Sequence, residues 1–161
     1  MEIIKITQVT DDLAQMVALF RVELRSYKGI VSKPNVEAGR EEMEEYLVAG
    51  FPVFAAMIDG EYAGYVVCRI DSEVVWVESI FVKEKYRCHG VASALHSKAE
   101  EIAASYGEET VYNYVHPNNH RMIEFLRKRG YTVLNLIEIR KPYKGEELTQ
   151  KICVGEHEFD Y

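Results

Sequence analysis

The succession of apolar periodicities along the chain predicts an α/β domain with a mixed, mainly antiparallel central sheet of about seven strands flanked by about four helices. Three observations carry this. One short strand is followed by two segments of helical spacing. From Val53 the period shortens to two, punctuated by turn residues at Asp59-Gly60 and Asp71-Ser72-Glu73. Beyond Lys83, strands and helices alternate, and each helix runs into a glycine.

Ile4 and Ile6 mark the first strand. Thr10-Asp11-Asp12 then offers side-chain oxygens to the open amides of a helix start, and Leu13, Met16, Val17, Phe20 and Leu24 recur on one helical face. A second helix is expected from about Asn35, after Pro34, with Val36, Met43, Tyr46 and Leu47 inward and Gly50 at its end. Its outer face carries Glu37, Glu41, Glu42, Glu44 and Glu45. Val53–Ile58 and residues 61–70 read as a hairpin closed by Asp59-Gly60, and Val74–Val82 adds a third antiparallel strand rich in β-branched and aromatic residues.

Residues 83–89 are polar, and from Gly90 a helix places Ala92, Leu95, Ala99, Ile102, Ala103 and Tyr106 on one face before Gly107. Residues 110–115 form the next strand. His116-Pro117-Asn118-Asn119 caps a helix through Met122, Ile123 and Leu126 that stops at Gly130. Residues 131–140 and 149–157 then read as two further strands joined by the turn region Lys141-Pro142-Tyr143-Lys144-Gly145.

At 161 residues the chain is expected to be one domain, 1–161, because domains commonly hold about 100 to 150 residues and two would leave neither half a full core. A formal charge of −7 works against nucleic-acid binding, which needs clustered Lys and Arg against phosphate. It would attract cationic partners such as amines. Cys68, Cys88 and Cys153 show neither paired nor metal-ligand spacing, and no metal is expected. The start lacks the apolar run of a signal peptide, and no stretch approaches the roughly 18 apolar residues of a membrane span, so the expected location is cytoplasmic.

The most informative segment is Tyr86-Arg87-Cys88-His89-Gly90-Val91-Ala92-Ser93-Ala94-Leu95, where a strand end passes through a polar loop into a helix. A helix N-terminus presents unpaired amides at the positive end of its dipole, and small residues such as Gly90 and Ala92 let phosphate oxygens reach them. The spaced glycines and the Lys-Ser/Thr pair of a nucleotide-hydrolase loop are absent.

This segment, preceded by Ile80-Phe81-Val82, resembles the cofactor-binding strand, loop and helix of the GNAT acetyltransferases. A second block, His116-Pro117-Asn118-Asn119 through Gly130-Tyr131, is similar to that family's later Asn-led helix, and the two blocks keep the family's order. The resemblance implies acetyl-coenzyme A as cosubstrate and an amine as acceptor. It implies that the backbone of Ile80, Phe81 and Val82 pairs with pantetheine like an added strand. The loop from Arg87 through Cys88, His89, Gly90, Val91, Ala92 and Ser93 would hold the pyrophosphate, and Asn119 would meet the pantetheine arm. Cys88 and His89 stand where the family often has basic residues.

Acetyl transfer to an ammonium requires a base, and Glu78, which interrupts the apolar strand four residues before its end, is the candidate. Burial would raise its basicity; pairing with an arginine is the competing structural role. Trp76 shares its strand face. The family's usual proton donor, a tyrosine seven residues after the helix-leading Asn, is replaced by Leu126. Tyr114, Tyr112 and Tyr143 are the alternatives among 11 tyrosines, with Tyr114 taken first. His116 and His120 read as a turn and a helix-surface histidine. Two further functions fit the sequence less well: an acyl-coenzyme A binding module without catalysis and a cofactor-free peptide-binding domain. A homodimer through the C-terminal strand edge is expected on the family pattern.

Overall fold

The computed structural model describes all 161 residues and divides into two compact units, Met1–Phe125 and Leu126–Tyr161. In the first unit, β1 (Glu2–Lys5), β2 (Val53–Ile58), β3 (Glu61–Asp71), β4 (Val74–Val82) and β5 (Tyr112–Asn113) form one sheet in sequence order. Every pairing is antiparallel except β4 with β5, which is parallel. The sheet is therefore the mixed, mainly antiparallel one expected. Asp59-Gly60 closes the first hairpin with both residues at positive φ (50° and 81°), the twist that a two-residue hairpin turn requires.

α1 (Asp11–Ser26) starts where Thr10 Oγ1 accepts from Leu13 N–H, and α2 (Val36–Val48) where Asn35 Oδ1 accepts from Ala38 N–H. Their apolar stripes supply Leu13, Met16, Val17 and Met43 to a core shared with Val53, Ala55, Tyr65, Val67 and Phe81 of the sheet. The two helices touch through Gly39. A Cβ there would lie 2.4 Å from the Ala14 carbonyl oxygen and 3.0 Å from the Ala18 nitrogen. α3 (Val91–Ser105) packs on β2, β3 and β4 through Val91, Leu95, Ala99 and Ala103, against the alternate strand positions.

Two irregularities in β4 leave part of its edge open. Val67 pairs with Ser79 but its neighbour Cys68 pairs with Val77, so Glu78 is one residue more than β3 can match, a β-bulge. The β4–β5 ladder holds only Trp76↔Tyr112 and Val77↔Asn113. Beyond Val77 the two parallel strands have no further register, and β4 continues for five residues without a strand on that side.

α4 (His120–Lys128) carries the chain into the second unit, where β6 (Lys151–Val154) and β7 (His157–Asp160) form a hairpin turned at Gly155. Three expectations are corrected here. The central sheet has five strands rather than about seven, because residues 149–157 pair with the chain end instead of extending it. Residues 131–140 take no strand: Val133, Leu134, Leu136 and Ile139 are strongly exposed, Val133 at 86%. Strand preference expresses packing on a half-buried pleated surface, and nothing within this unit supplies one. The strand expected over 110–115 shortens to Tyr112–Asn113, the only two residues in register with β4.

Gly39→Ala tests the helix contact. Ala is favoured over Gly in a helix by about 1 kcal/mol. Overpacking against main chain that cannot rotate away costs about 1–3 kcal/mol. We expect a net loss of stability in urea denaturation; an unchanged or raised midpoint would show that the helices separate freely.

Candidate active site

The bulge fixes where Glu78 points. Ser79 and Phe81 face the α1–α2 side, where Phe81 joins the core and the Tyr65 hydroxyl and Ser79 Oγ lie 2.8 Å apart. The extra residue puts Glu78 and Trp76 on this same side, so strict alternation is broken at one point of the strand. Arg69, paired in register with Trp76, reaches across: its Nε donates to Glu78 Oε2 at 3.1 Å and its guanidinium lies 5.2 Å from the Trp76 ring centre. Both partners of this ion pair are 30% exposed, so the carboxylate is neither deeply buried nor on open surface.

Trp76 in turn carries two tyrosines from β5 and its end. Tyr112 is tilted against it at 4.8 Å and Tyr114 stacks nearly parallel at 4.7 Å. Tyr114 is 62% exposed. A cleft opens where β4 and β5 part, lined by Glu78 and Ile80 from β4, Asn113 and Tyr114 from β5 and its extension, and His116 and Asn119 from the following turn, with Phe20 and Leu24 of α1 on its apolar wall. Asn119 Oδ1 caps α4 by accepting from Met122 N–H at 3.1 Å. His116 stacks on Tyr27 at 6.2 Å, and Asn118 Nδ2 donates to the Tyr27 carbonyl, tying this turn to the end of α1.

A polar group backs the cleft on the helix side. Arg21 of α1 donates to both oxygens of Glu42 on α2 (2.6 and 2.5 Å), and the Tyr46 hydroxyl donates to Glu42 at 2.8 Å. Burial first, then the bond to Glu42, raises the Tyr46 pKa, with the Glu78 charge adding to the effect. Glu42, expected on the outer face of the second helix, is instead the acceptor that locks α1 to α2.

The loop before α3 is built to leave its amides open. Gly90, the residue before the helix, sits at φ 80° with open space where a Cβ would be, and α3 has no side-chain cap and no acidic residue in its first turn. Orphan amides of Val91, Ala92 and Ser93 thus meet neither a competing oxygen nor a repelling carboxylate. Cys88 is exposed with its backbone at φ 63°, and His89 Nδ1 donates to the Arg87 carbonyl at 2.6 Å, a side-chain bond that braces the turn.

Arg87 is placed differently from what a phosphate ligand needs. Its Nε donates to the Val82 carbonyl at 2.9 Å, its Nη2 bonds Glu23 of α1, and its guanidinium covers the Phe81 ring at 5.7 Å. It works as a strut between loop, β4 and α1. The sequence did not reveal this, nor Arg69 as the partner of Glu78. Period-two spacing puts an arginine on a face without saying which carboxylate it meets, and a bulge has no sequence signature. His120 lies exposed at the start of α4, and no group of three or more His, Cys, Asp or Glu side chains forms a metal cluster. No helix is long and apolar enough to cross a membrane.

A splayed pair of parallel strands beside an uncapped helix start suits a coenzyme with a peptide-like arm and a pyrophosphate. Comparison with known families agrees: residues 16–131 match the model of the acetyltransferase (GNAT) family. The chain belongs to that family, and it is an acyltransferase with acetyl-coenzyme A as cosubstrate. Solved structures share the fold. The aminoglycoside N-acetyltransferase AAC(6')-Iy, solved in complex with CoA, superposes with a TM-score of 0.64 at 23% identity, covering 87% of this chain and 93% of that one. The aminoglycoside antibiotic 6'-N-acetyltransferase AAC(6')-IG from Acinetobacter haemolyticus gives 0.62 at 19% identity over 89% and 99% of the two chains. A probable acetyltransferase gives 0.60 at 20% identity over 95% and 99%.

The bond between Tyr65 and Ser79 holds the residue next to the bulge, and both side chains are buried. Tyr65→Phe should cost about 1–3 kcal/mol by stranding the Ser79 hydroxyl, and adding Ser79→Ala should recover part of that loss. Additive losses in the double mutant, read by urea denaturation, would show that the pair does not interact.

Proposed function

We propose that this chain, acting as one N-acetyltransferase domain over residues 1–161, moves the acetyl group of acetyl-coenzyme A to a primary amine, with Glu78 taking the amine's proton. The observation that carries this reading is a coincidence of position: the carboxylate displaced by the bulge lines the same cleft as Ile80 and Asn119, at the point where β4 loses its neighbour. The main chain of Ile80, Phe81 and Val82 holds the pantetheine arm as a strand would, since β5 no longer occupies that side. The amides from Cys88 to Ser93 hold the pyrophosphate; Gly90 is there because any side chain would be strained at its φ. Asn119 meets the arm from the opposite strand's extension.

The bound coenzyme supplies an activated acetyl thioester. Glu78 attracts the incoming ammonium and takes its proton, directly or through one water, so that the neutral amine attacks. Arg69 keeps one oxygen of Glu78 engaged, which steadies a carboxylate that lines the cleft. Tyr114, on the same cleft and steadied by Trp76, returns a proton to the departed thiolate. The acceptor is a small-molecule amine or an amine of a peptide or protein. A panel of an aminoglycoside, a short polyamine, a lysine peptide and a peptide with a free N-terminus, followed by release of free coenzyme A, separates these classes.

With the acceptor so found, Glu78→Gln should lower turnover by about 10² to 10⁴ while acetyl-coenzyme A still binds. Part of the loss should return as the pH nears the pKa of the amine, where neutral acceptor is abundant. Near wild-type turnover at pH 7 would make Glu78 structural. A rise in acceptor KM with turnover kept would give it a positioning role only.

A further inference from the structure

We propose that Trp76 is a positioning residue that holds the base and the proton donor of the reaction in one frame, Glu78 through Arg69 and Tyr114 by direct stacking. This rests on acetyl transfer taking place in the Glu78 cleft with Glu78 as base and Tyr114 as donor, and it gives a task to the one tryptophan of the chain. Neither group is placed by the pairing of the sheet. Glu78 is the bulge residue, which β3 leaves unmatched, and Tyr114 is the first residue past the two-residue ladder of β5. Ladder hydrogen bonds set where a residue stands against its neighbour strand, so both groups depend on side-chain contacts instead.

Trp76 is itself fixed from both sides. It is in register with Arg69 on β3 and with Tyr112 on β5, so it belongs to both ladders just before they are disturbed. Three side chains rest on its indole: the Tyr112 ring at 4.8 Å, the Tyr114 ring at 4.7 Å with 11° between the planes, and the Arg69 guanidinium at 5.2 Å. Tyr114 is 62% exposed, so stacking on the indole, not burial in a core, holds its ring. Arg69 carries the frame to the base. The ring's negative face draws its guanidinium, and its Nε donates to Glu78 Oε2 at 3.1 Å. Both partners of that ion pair are 30% exposed, where water screens the charges, and the indole therefore limits how far Arg69 can move.

In the step, the amine lone pair forms the N–C bond and the C–S bond breaks with its electron pair left on sulfur. The amine's proton goes to Glu78, and the thiolate takes one from Tyr114. Both transfers need hydrogen-bond reach, so a frame that lets either group drift by about 1 Å loses rate on the order of 10²-fold without touching the coenzyme. One side chain thus sets the two ends of the proton traffic together.

Because Trp76 is the sole tryptophan, its fluorescence reports on the stack directly. Tyr114→Ala should shift the emission to the red and open it to acrylamide quenching, whereas Tyr114→Phe, which keeps the ring, should match the wild type. Unchanged emission in Tyr114→Ala overturns the proposal. With acetyl-coenzyme A and the panel amine that releases coenzyme A fastest, Trp76→Leu should lower turnover by about 10² while calorimetry finds the coenzyme still bound, and Trp76→Phe should recover most of the loss. A purely structural residue would be equally damaging in every background. We expect instead that Trp76→Leu has a much smaller effect in Glu78→Gln or in Tyr114→Phe than in the wild type, because a group it places is already gone. Equal losses in all three backgrounds, or lost coenzyme binding in Trp76→Leu, would overturn the assignment. If Glu78→Gln and Tyr114→Phe each leave turnover unchanged, the catalytic reading beneath falls as well; if both lower it and Trp76→Leu does not, this inference falls alone.

Discussion

Parallel strands normally continue side by side, because each residue added to the ladder satisfies two more backbone groups. In this protein β4 and β5 stop after Trp76↔Tyr112 and Val77↔Asn113, and the chain follows that break immediately with a bulge at Glu78. A bulge increases local twist and turns its strand out of line, so the two irregularities are one mechanical event. The site is its consequence. The five residues of β4 past the break keep an edge to which a peptide-like ligand can add, and the carboxylate at the break is brought onto the face where Arg69 and Trp76 stand.

The surroundings stiffen this opening instead of closing it. Ser79, next to the bulge, is pinned from within the core by Tyr65, while Arg87 ties the far end of β4 to α1 through the Val82 carbonyl and Glu23. On the helix side, Arg21, Glu42 and Tyr46 lock α1 to α2, and Gly39 lets the two backbones approach. The charged groups are thus distributed by task. Those around β4 are paired with one another and hold geometry, whereas the start of α3 carries no side-chain cap and no acidic residue, as an anion site requires.

How much of this was legible depended on whether the signal was local. The hairpin at Asp59-Gly60, the caps at Thr10 and Asn35 and the glycine before α3 come from short-range backbone chemistry, and each stands where its residues put it. Glu78 could be singled out because a charge in an apolar strand is conspicuous. Its partner could not, since Arg69 meets it only through the β3–β4 register, which the bulge shifts by one. Residues 131–140 misled for the converse reason. Val133, Leu134, Leu136, Ile137 and Ile139 have the composition of a strand, but a strand also needs a neighbour, and composition does not supply one.

Coenzyme binding in this arrangement depends on the unzipped edge of β4. Amide hydrogen exchange measured with and without acetyl-coenzyme A addresses it residue by residue, because a ligand that adds to the strand must slow exchange there. We predict added protection confined to the amides of residues 78–82 and of Cys88 through Ser93. Protection absent from 78–82, or appearing only elsewhere while the coenzyme is bound, would contradict the claim that the break between β4 and β5 is the coenzyme site.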